Sequence, residues 1–177
     1  LNEDQTVIRT LVDELMNLWM MQATSMIESD ELLEKLETRW NEEFVAKFPP
    51  VETLSEFAPL IVEEEGWLQN TKVMMINSKS EELLDYDAYP EGLSVIAIGG
   101  NKLSRGLTLE GLTVSMYMRK TRMYDSLMQM GRWFGYRHSY EDLVRVHTTE
   151  HLYSWFEWLV KAEDAVRRDI DRYAKLG

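Results

Sequence analysis

The residues best suited to chemistry lie between positions 98 and 137. Ile98-Gly99-Gly100-Asn101-Lys102-Leu103-Ser104-Arg105-Gly106 follows directly on an apolar run. Two adjacent glycines let the backbone approach a ligand closely. Asn101, Lys102, Ser104 and Arg105 supply donors there, and Gly106 permits a tight turn. The plain alternative is a strand-to-loop turn that happens to be basic. A second cluster, Gln129-Met130-Gly131-Arg132-Trp133-Phe134-Gly135-Tyr136-Arg137, sits on a helix that Asp125 is able to cap. Gln129 and Arg132 are i, i+3 and share a face, while a break near Gly135 would turn Arg137 toward the same side. Two guanidiniums presented together suit a phosphoryl group, because each offers a planar fork of donors. Trp133, Phe134 and Tyr136 equally suit a core, with the arginines as surface residues.

Charge is distributed so as to single out the same stretch. The chain of 177 residues carries 31 acids and 19 bases, a net charge of −12. Residues 1–100 hold 21 acids and 6 bases, residues 101–138 hold 2 acids and 7 bases, and residues 139–177 hold 8 acids and 6 bases. Taken whole, the charge argues against a polyanion-binding module. Partitioned, it leaves a basic island from Lys102 to Arg137, where an anion such as phosphate would be handled. The bland reading of that island is a solvated face. Cysteine is absent, so disulfides and thiolate metal sites are excluded, and a reducing cytoplasm fits. No stretch approaches the roughly 18 uninterrupted apolar residues that a membrane span needs. The start, Leu1-Asn2-Glu3-Asp4, has no basic signal region and no initiator Met, so the chain reads as a piece of something larger.

The elements that must position these residues follow from periodicity. Residues 1–66 read as a helical N-terminal segment or insertion, and residues 67–177 as an α/β lobe. Val7, Leu11, Leu15, Leu18 and Trp19 have the spacing of one buried helical face. A second helix, capped by Ser29 or Asp30, runs through Leu32, Leu33, Leu36 and Trp40 to Pro49-Pro50, and a third spans about Leu54 to Glu64. From residue 72 the period changes. Val73–Ile76, Leu93–Ile98, Leu112–Met118 and Leu143–His147 read as strands, with Leu112, Val114, Met116 and Met118 on one face. Glu81–Tyr86 reads as a helical turn and Tyr89-Pro90-Glu91-Gly92 as a turn. Helices from about Tyr124 and from Glu150 to Ala174 complete the alternation, the last with Leu152, Trp155, Phe156, Leu159, Val160 and Ala162 placed to pack. Strands alternating with helices predict a mostly parallel sheet covered on both sides. In such sheets ligands bind beyond the carboxyl ends of the strands.

Strand, Ser-Arg-Gly loop, strand, then a Gln-x-Gly-Arg helix resembles the second RecA-like lobe of superfamily-two helicases and translocases. In that family the Arg-Gly loop is motif V and the glutamine–arginine helix is motif VI. More narrowly, Ile98 to Leu112 followed by Gln129 to Arg137 is similar to the Z-one domain family, large prokaryotic proteins that join this domain to a helicase-type ATPase. Those proteins are associated with DNA restriction and phage defence and carry an endonuclease label. The resemblance spans about residues 72–172. It implies that Ser104, Arg105 and Gly106 lie at a cleft edge coupling nucleotide state to DNA. It further implies that Arg132 and Arg137 are the arginine-finger candidates, with Gln129 orienting the finger or the attacking water. Gln129 precedes Gly131-Arg132 by one residue fewer than the helicase pattern, and Arg137 follows Arg132 by five rather than three.

Absences set the expected division of labour. No Gly-x-x-x-x-Gly-Lys-Ser/Thr occurs, and no Asp-Glu pair closes a strand, Asp13-Glu14 being mid-helix. ATP and Mg2+ are therefore expected to be held by an N-terminal ATPase lobe of the same polypeptide, this piece alone being inactive. A restriction-type nuclease centre needs an acid two residues before a lysine, and none of the eight lysines has one. His138, His147 and His151 form no recognised zinc or nuclease pattern. The readings left open are a motor lobe, a degenerate interaction scaffold, and a nuclease domain.

Overall fold

Val73-Met74-Met75-Ile76 has no polar alternation, and a run of that kind is stable as a strand only when both faces are covered. In the computed structural model it is β1, the first of two strands in an N-terminal unit. The structure describes residues 2–24, 28–45, 66–104, 109–118, 138 and 140–175. In order these give α1 (Asn2–Thr24), α2 (Glu28–Trp40), a π-helical turn (Asn41–Val45), α3 (Trp67–Asn70), β1 (Lys72–Ile76), β2 (Val95–Gly99), α4 (Asn101–Ser104), β3 (Val114–Tyr117), a 3-10 turn (Glu141–Leu143), β4 (Arg145–Thr148) and α5 (Glu150–Ala174). They fall into two compact units, Leu1–Leu107 and Thr108–Gly177.

In the first unit β1 pairs with β2 in parallel, from Lys72 opposite Val95 to Ile76 opposite Gly99. Ile76, Ile98, Leu68, Leu103, Met16 and Leu32 are its buried apolar side chains. The connection from β1 to β2 contains no helix. Its expected turn at Tyr89–Gly92 is present, closed by the Gly92 N–H on the Tyr89 carbonyl at 2.9 Å, with Gly92 at φ +104°. The expected helical turn at Glu81–Tyr86 is not: those residues run irregularly, because Glu82 is drawn back to β1. The helix that packs on the strand pair is α1 instead, which also meets α2 and α3.

The rotation of α1 corrects a sequence expectation. Of the expected face Val7, Leu11, Leu15, Leu18 and Trp19, only Trp19 is half-buried; the other four are 59%, 58%, 44% and 50% exposed. The inward face carries Gln5 and Met16, both buried, with Arg9, Val12, Trp19, Met20 and Ala23 half-buried. Two apolar stripes lie on opposite sides of this helix, so periodicity alone cannot choose between them. The choice is made by two polar links, Gln5 to Asn77 and Arg9 to Glu82. In α2 the expected set holds, Leu32 buried and Leu33, Leu36 and Trp40 half-buried. That helix starts at Glu28, so Ser29 and Asp30 fall inside its first turn rather than before it. Its end continues into the π turn, where the Trp40 and Phe44 rings lie 4.7 Å apart. The expected helix at Leu54–Glu64 lies outside the described residues.

In the second unit β3 pairs with β4 in parallel, from Val114 opposite Arg145 to Tyr117 opposite Thr148. Tyr117, Leu152 and Leu159 form its core, with Phe156 against them and the Tyr117 and Phe156 rings 5.9 Å apart. The α5 boundaries agree with the sequence. Thr149 is its N-cap, the hydroxyl accepting the Leu152 N–H at 3.3 Å. Val114, Met116 and Met118 fall on one side of the chain along β3, and that side is exposed, because Tyr117 is the larger anchor and turns the opposite face of β3 to α5. On α5 itself Trp155 and Val160 are exposed, flanking the Leu152–Phe156–Leu159 stripe instead of joining it. The architecture is thus mixed α/β with parallel pairing, as the alternation of elements requires. Among the described residues the strands form two separate pairs and not one larger sheet.

Candidate functional site

Parallel strands place their carboxyl ends side by side, so the ends of β1 and β2 bring Asn77 next to Gly99 and Gly100. Asn77 is buried and fully engaged. Its Oδ1 accepts the Lys79 N–H at 2.9 Å and the Ser80 N–H at 3.0 Å, and its Nδ2 donates to Gln5 Oε1 at 3.1 Å. Short polar side chains that mimic a backbone turn in this way are what asparagine supplies. The turn sends the chain back along β1. Ser80 Oγ then accepts the Glu82 N–H at 3.0 Å. The Glu82 carboxylate accepts the Met75 N–H and both terminal nitrogens of Arg9, Nη1 at 3.2 Å and Nη2 at 3.0 Å. Arg9 Nη2 also reaches the Val73 carbonyl at 3.5 Å. An ion pair therefore satisfies backbone groups on the edge of β1 that β2 does not use, which would otherwise face solvent or recruit another strand.

Gly99 has a packing reason to be glycine. A Cβ there would stand 2.5 Å from the Ile76 carbonyl oxygen and 2.5 Å from Leu103 Cδ1. The missing side chain lets α4 fold tightly onto the end of the strand pair, and Leu103 N–H closes on the Gly100 carbonyl at 3.1 Å. Lys102 is half-buried on α4, and Lys79 is exposed on the β1 loop. The carboxyl edge of this unit is thus a tight, polar rim bearing two lysines. Such a rim can hold an anion by charge, and among its described side chains there is no nucleophile–base pair.

The structure places Gly99, Gly100 and Lys102 at this rim. Asn101 and Ser104 lie in the backbone of α4, their side chains being outside the described residues. Arg105 and Gly106, and all of Gln129, Arg132 and Arg137, also lie outside the described residues. Sequence reasoning missed Gln5, Arg9, Asn77 and Glu82. The available signal was Asn77-Ser78-Lys79-Ser80, a run of turn-forming residues closing an apolar strand, together with Gln5 and Arg9 four apart on one helix.

Elsewhere the chemistry is sparse. Among the described residues no group of three His, Asp or Glu side chains is placed to hold a metal ion. His147 is on β4 and His151 on α5, straddling the strand end and helix start as the spacing implied. An open depression of about 520 Å³ is lined by Arg168, Asp171, Arg172 and Lys175, all on or just after α5, so a single helix forms it and nothing encloses a ligand. On α2 the Lys35 ammonium, hydrogen-bonded to Glu31 at 2.7 Å, holds that exposed carboxyl below its ordinary range. Among the described residues no helix is long and apolar enough to cross a membrane.

No curated protein and no solved structure matches the chain. The Z1 domain does, over residues 1–177. With that match running from its first residue to its last, the chain belongs to the Z1 domain family.

Proposed function

We propose that this chain is the C-terminal, helicase-like lobe of an ATP-dependent DNA-acting protein in restriction or phage defence. Its part is to supply an arginine finger and a motif V-type loop to an ATP site completed by an N-terminal lobe. The observation that supports this reading most is the end of β2. A parallel strand there runs into Gly99-Gly100 and straight into α4, with Lys102 on the rim, the same stretch that resembles the strand-linked loop of helicase lobes. Membership of the Z1 domain family agrees with it. The basic island from Lys102 to Arg137 agrees as well, in a chain that is otherwise acidic.

In this reading Arg132 or Arg137 reaches the γ-phosphate of ATP, and Mg2+ is held by the partner lobe. A guanidinium in that place stabilises charge that builds on the transferring phosphoryl group, an effect worth on the order of 10³-fold or more in rate. Gln129 orients the finger or the attacking water. Ser104, Arg105 and Gly106 connect the nucleotide state to DNA. The test is DNA-stimulated ATPase activity of the full protein with Arg132→Ala and Arg137→Ala made singly. One of the two is expected to lower kcat about 10³-fold while nucleotide binding persists. Full activity in both variants would overturn the assignment.

A further inference from the structure

The outward stripe of α1 is apolar and exposed. Val7, Ile8, Leu11, Leu15, Leu18 and Met21 are all exposed, along about 21 Å of helix. Single exposed apolar residues are ordinary, whereas a contiguous row of six marks a contact site. The other side of the same helix packs inward through Val12, Met16, Trp19 and Met20, so α1 carries two apolar stripes, with Thr6, Thr10, Asp13 and Asn17 on the polar side between them. Only one of the two stripes is covered by the strands.

Charge says what covers it. Glu14 lies inside the stripe, three residues after Leu11 and four before Leu18, while Glu3 and Asp4 extend the stripe at its start; all three are exposed. The single basic side chain of α1 is Arg9, and it faces the strands, committed to Glu82. The exposed face is therefore apolar with acids and no base. A second copy fits it poorly: an antiparallel pairing sets Glu14 against Glu14, and a parallel one sets Glu3 and Asp4 against their own counterparts. The chain's own residues 46–65 carry Glu52, Glu56, Glu63, Glu64 and Glu65 against Lys47, so their charge is also of the wrong sign. Anionic lipid is repelled for the same reason.

We propose that the Val7–Met21 face of α1 docks a basic amphipathic helix of a partner protein, whose apolar stripe meets the leucines and whose flanking lysines or arginines meet Glu3, Asp4 and Glu14. Such a helix-in-groove contact draws its affinity from the apolar anchors and its selectivity from the rim. It requires neither ATP nor DNA, so it stands or falls separately from the helicase-like reading.

The probe is a fluorescein-labelled synthetic amphipathic helix with a leucine stripe and lysine rims, compared with a twin whose rims are glutamate. Binding to the 177-residue chain is followed by anisotropy. The lysine peptide is expected to bind at least about tenfold tighter than its twin, and the difference should shrink in high salt. Leu11→Asp, at an exposed position, should weaken binding about tenfold or more with the far-UV circular dichroism unchanged. Glu14→Lys should narrow the preference between the two peptides. Equal binding of both peptides, binding of neither, or an unaffected Leu11→Asp variant would overturn the proposal. So would self-association that Leu11→Asp abolishes, or cosedimentation with phosphatidylglycerol vesicles.

Discussion

The two units solve the same problem, covering a pair of parallel strands, with opposite strategies. In the second unit the covering helix follows its strand at once: β4 ends at Thr148, Thr149 caps α5, and Leu152, Phe156 and Leu159 reach Tyr117 within the next three turns. In the first unit the covering helix precedes its strands by dozens of residues, and the segment joining β1 to β2 brings no helix at all. One cover is held by apolar contact with Tyr117, on the strand paired with β4. The other is oriented by polar links, Gln5 to Asn77 and Arg9 to Glu82, between residues more than seventy positions apart. Apolar contact therefore suffices where a capped helix follows its strand directly, while a distant helix needs specific pairings to select which face it turns inward.

The comparison can be broken most sharply in the second unit. Leu152→Ala removes a side chain that is 2% exposed and should cost about 2–5 kcal/mol, read as a lower midpoint in urea and lost amide protection in β3 and β4. A small effect would mean that apolar contact with α5 is not what holds that pair. Next comes Gly99→Ala in the first unit. Its Cβ meets the Ile76 backbone and Leu103, so overpacking of about 1–3 kcal/mol is expected, with β2 and α4 losing protection together. A neutral result would mean that the end of β2 is not set by this close approach. The smallest effect belongs to the polar links themselves. Arg9 and Glu82 are each 35% exposed, so Arg9→Ala should cost only about 0.5–1 kcal/mol. A double-mutant cycle with Glu82→Ala should recover a coupling of the same size, and zero coupling would remove the link as an orienting device.

How much of this was legible in the sequence follows the same divide. The limits of α5 could be read because its cap and its periodicity lie within the helix and the residue just before it. The positions of β1 and β2 could be read because their apolar runs are short, continuous and bounded by turn residues. The inward face of α1 could not, since Val7–Leu11–Leu15–Leu18 and Val12–Met16–Trp19 are equally good helical stripes. Only a contact with Asn77, far along the chain, decides between them. On β3 the alternation shows which side chains share a face but not which face turns inward: Val114, Met116 and Met118 are exposed, because one tyrosine set against Phe156 outweighs their number. At the candidate site the glycine pair announced itself by type. Asn77, an ordinary residue closing a strand, matters through partners that no local pattern reveals.

The long interval between α1 and the strands it covers has a consequence during synthesis. When α1 leaves the ribosome, β1 and β2 have not been made. At about 5–20 residues per second the nascent helix waits roughly 4–15 s for Gly99 to follow it. Through that interval its inward stripe has α2 beside it but not the strands that cover it in the folded chain. The nascent chain thus has a stage at which α1 is a natural client for a chaperone, and a ribosome that pauses between α1 and β2 would lengthen it.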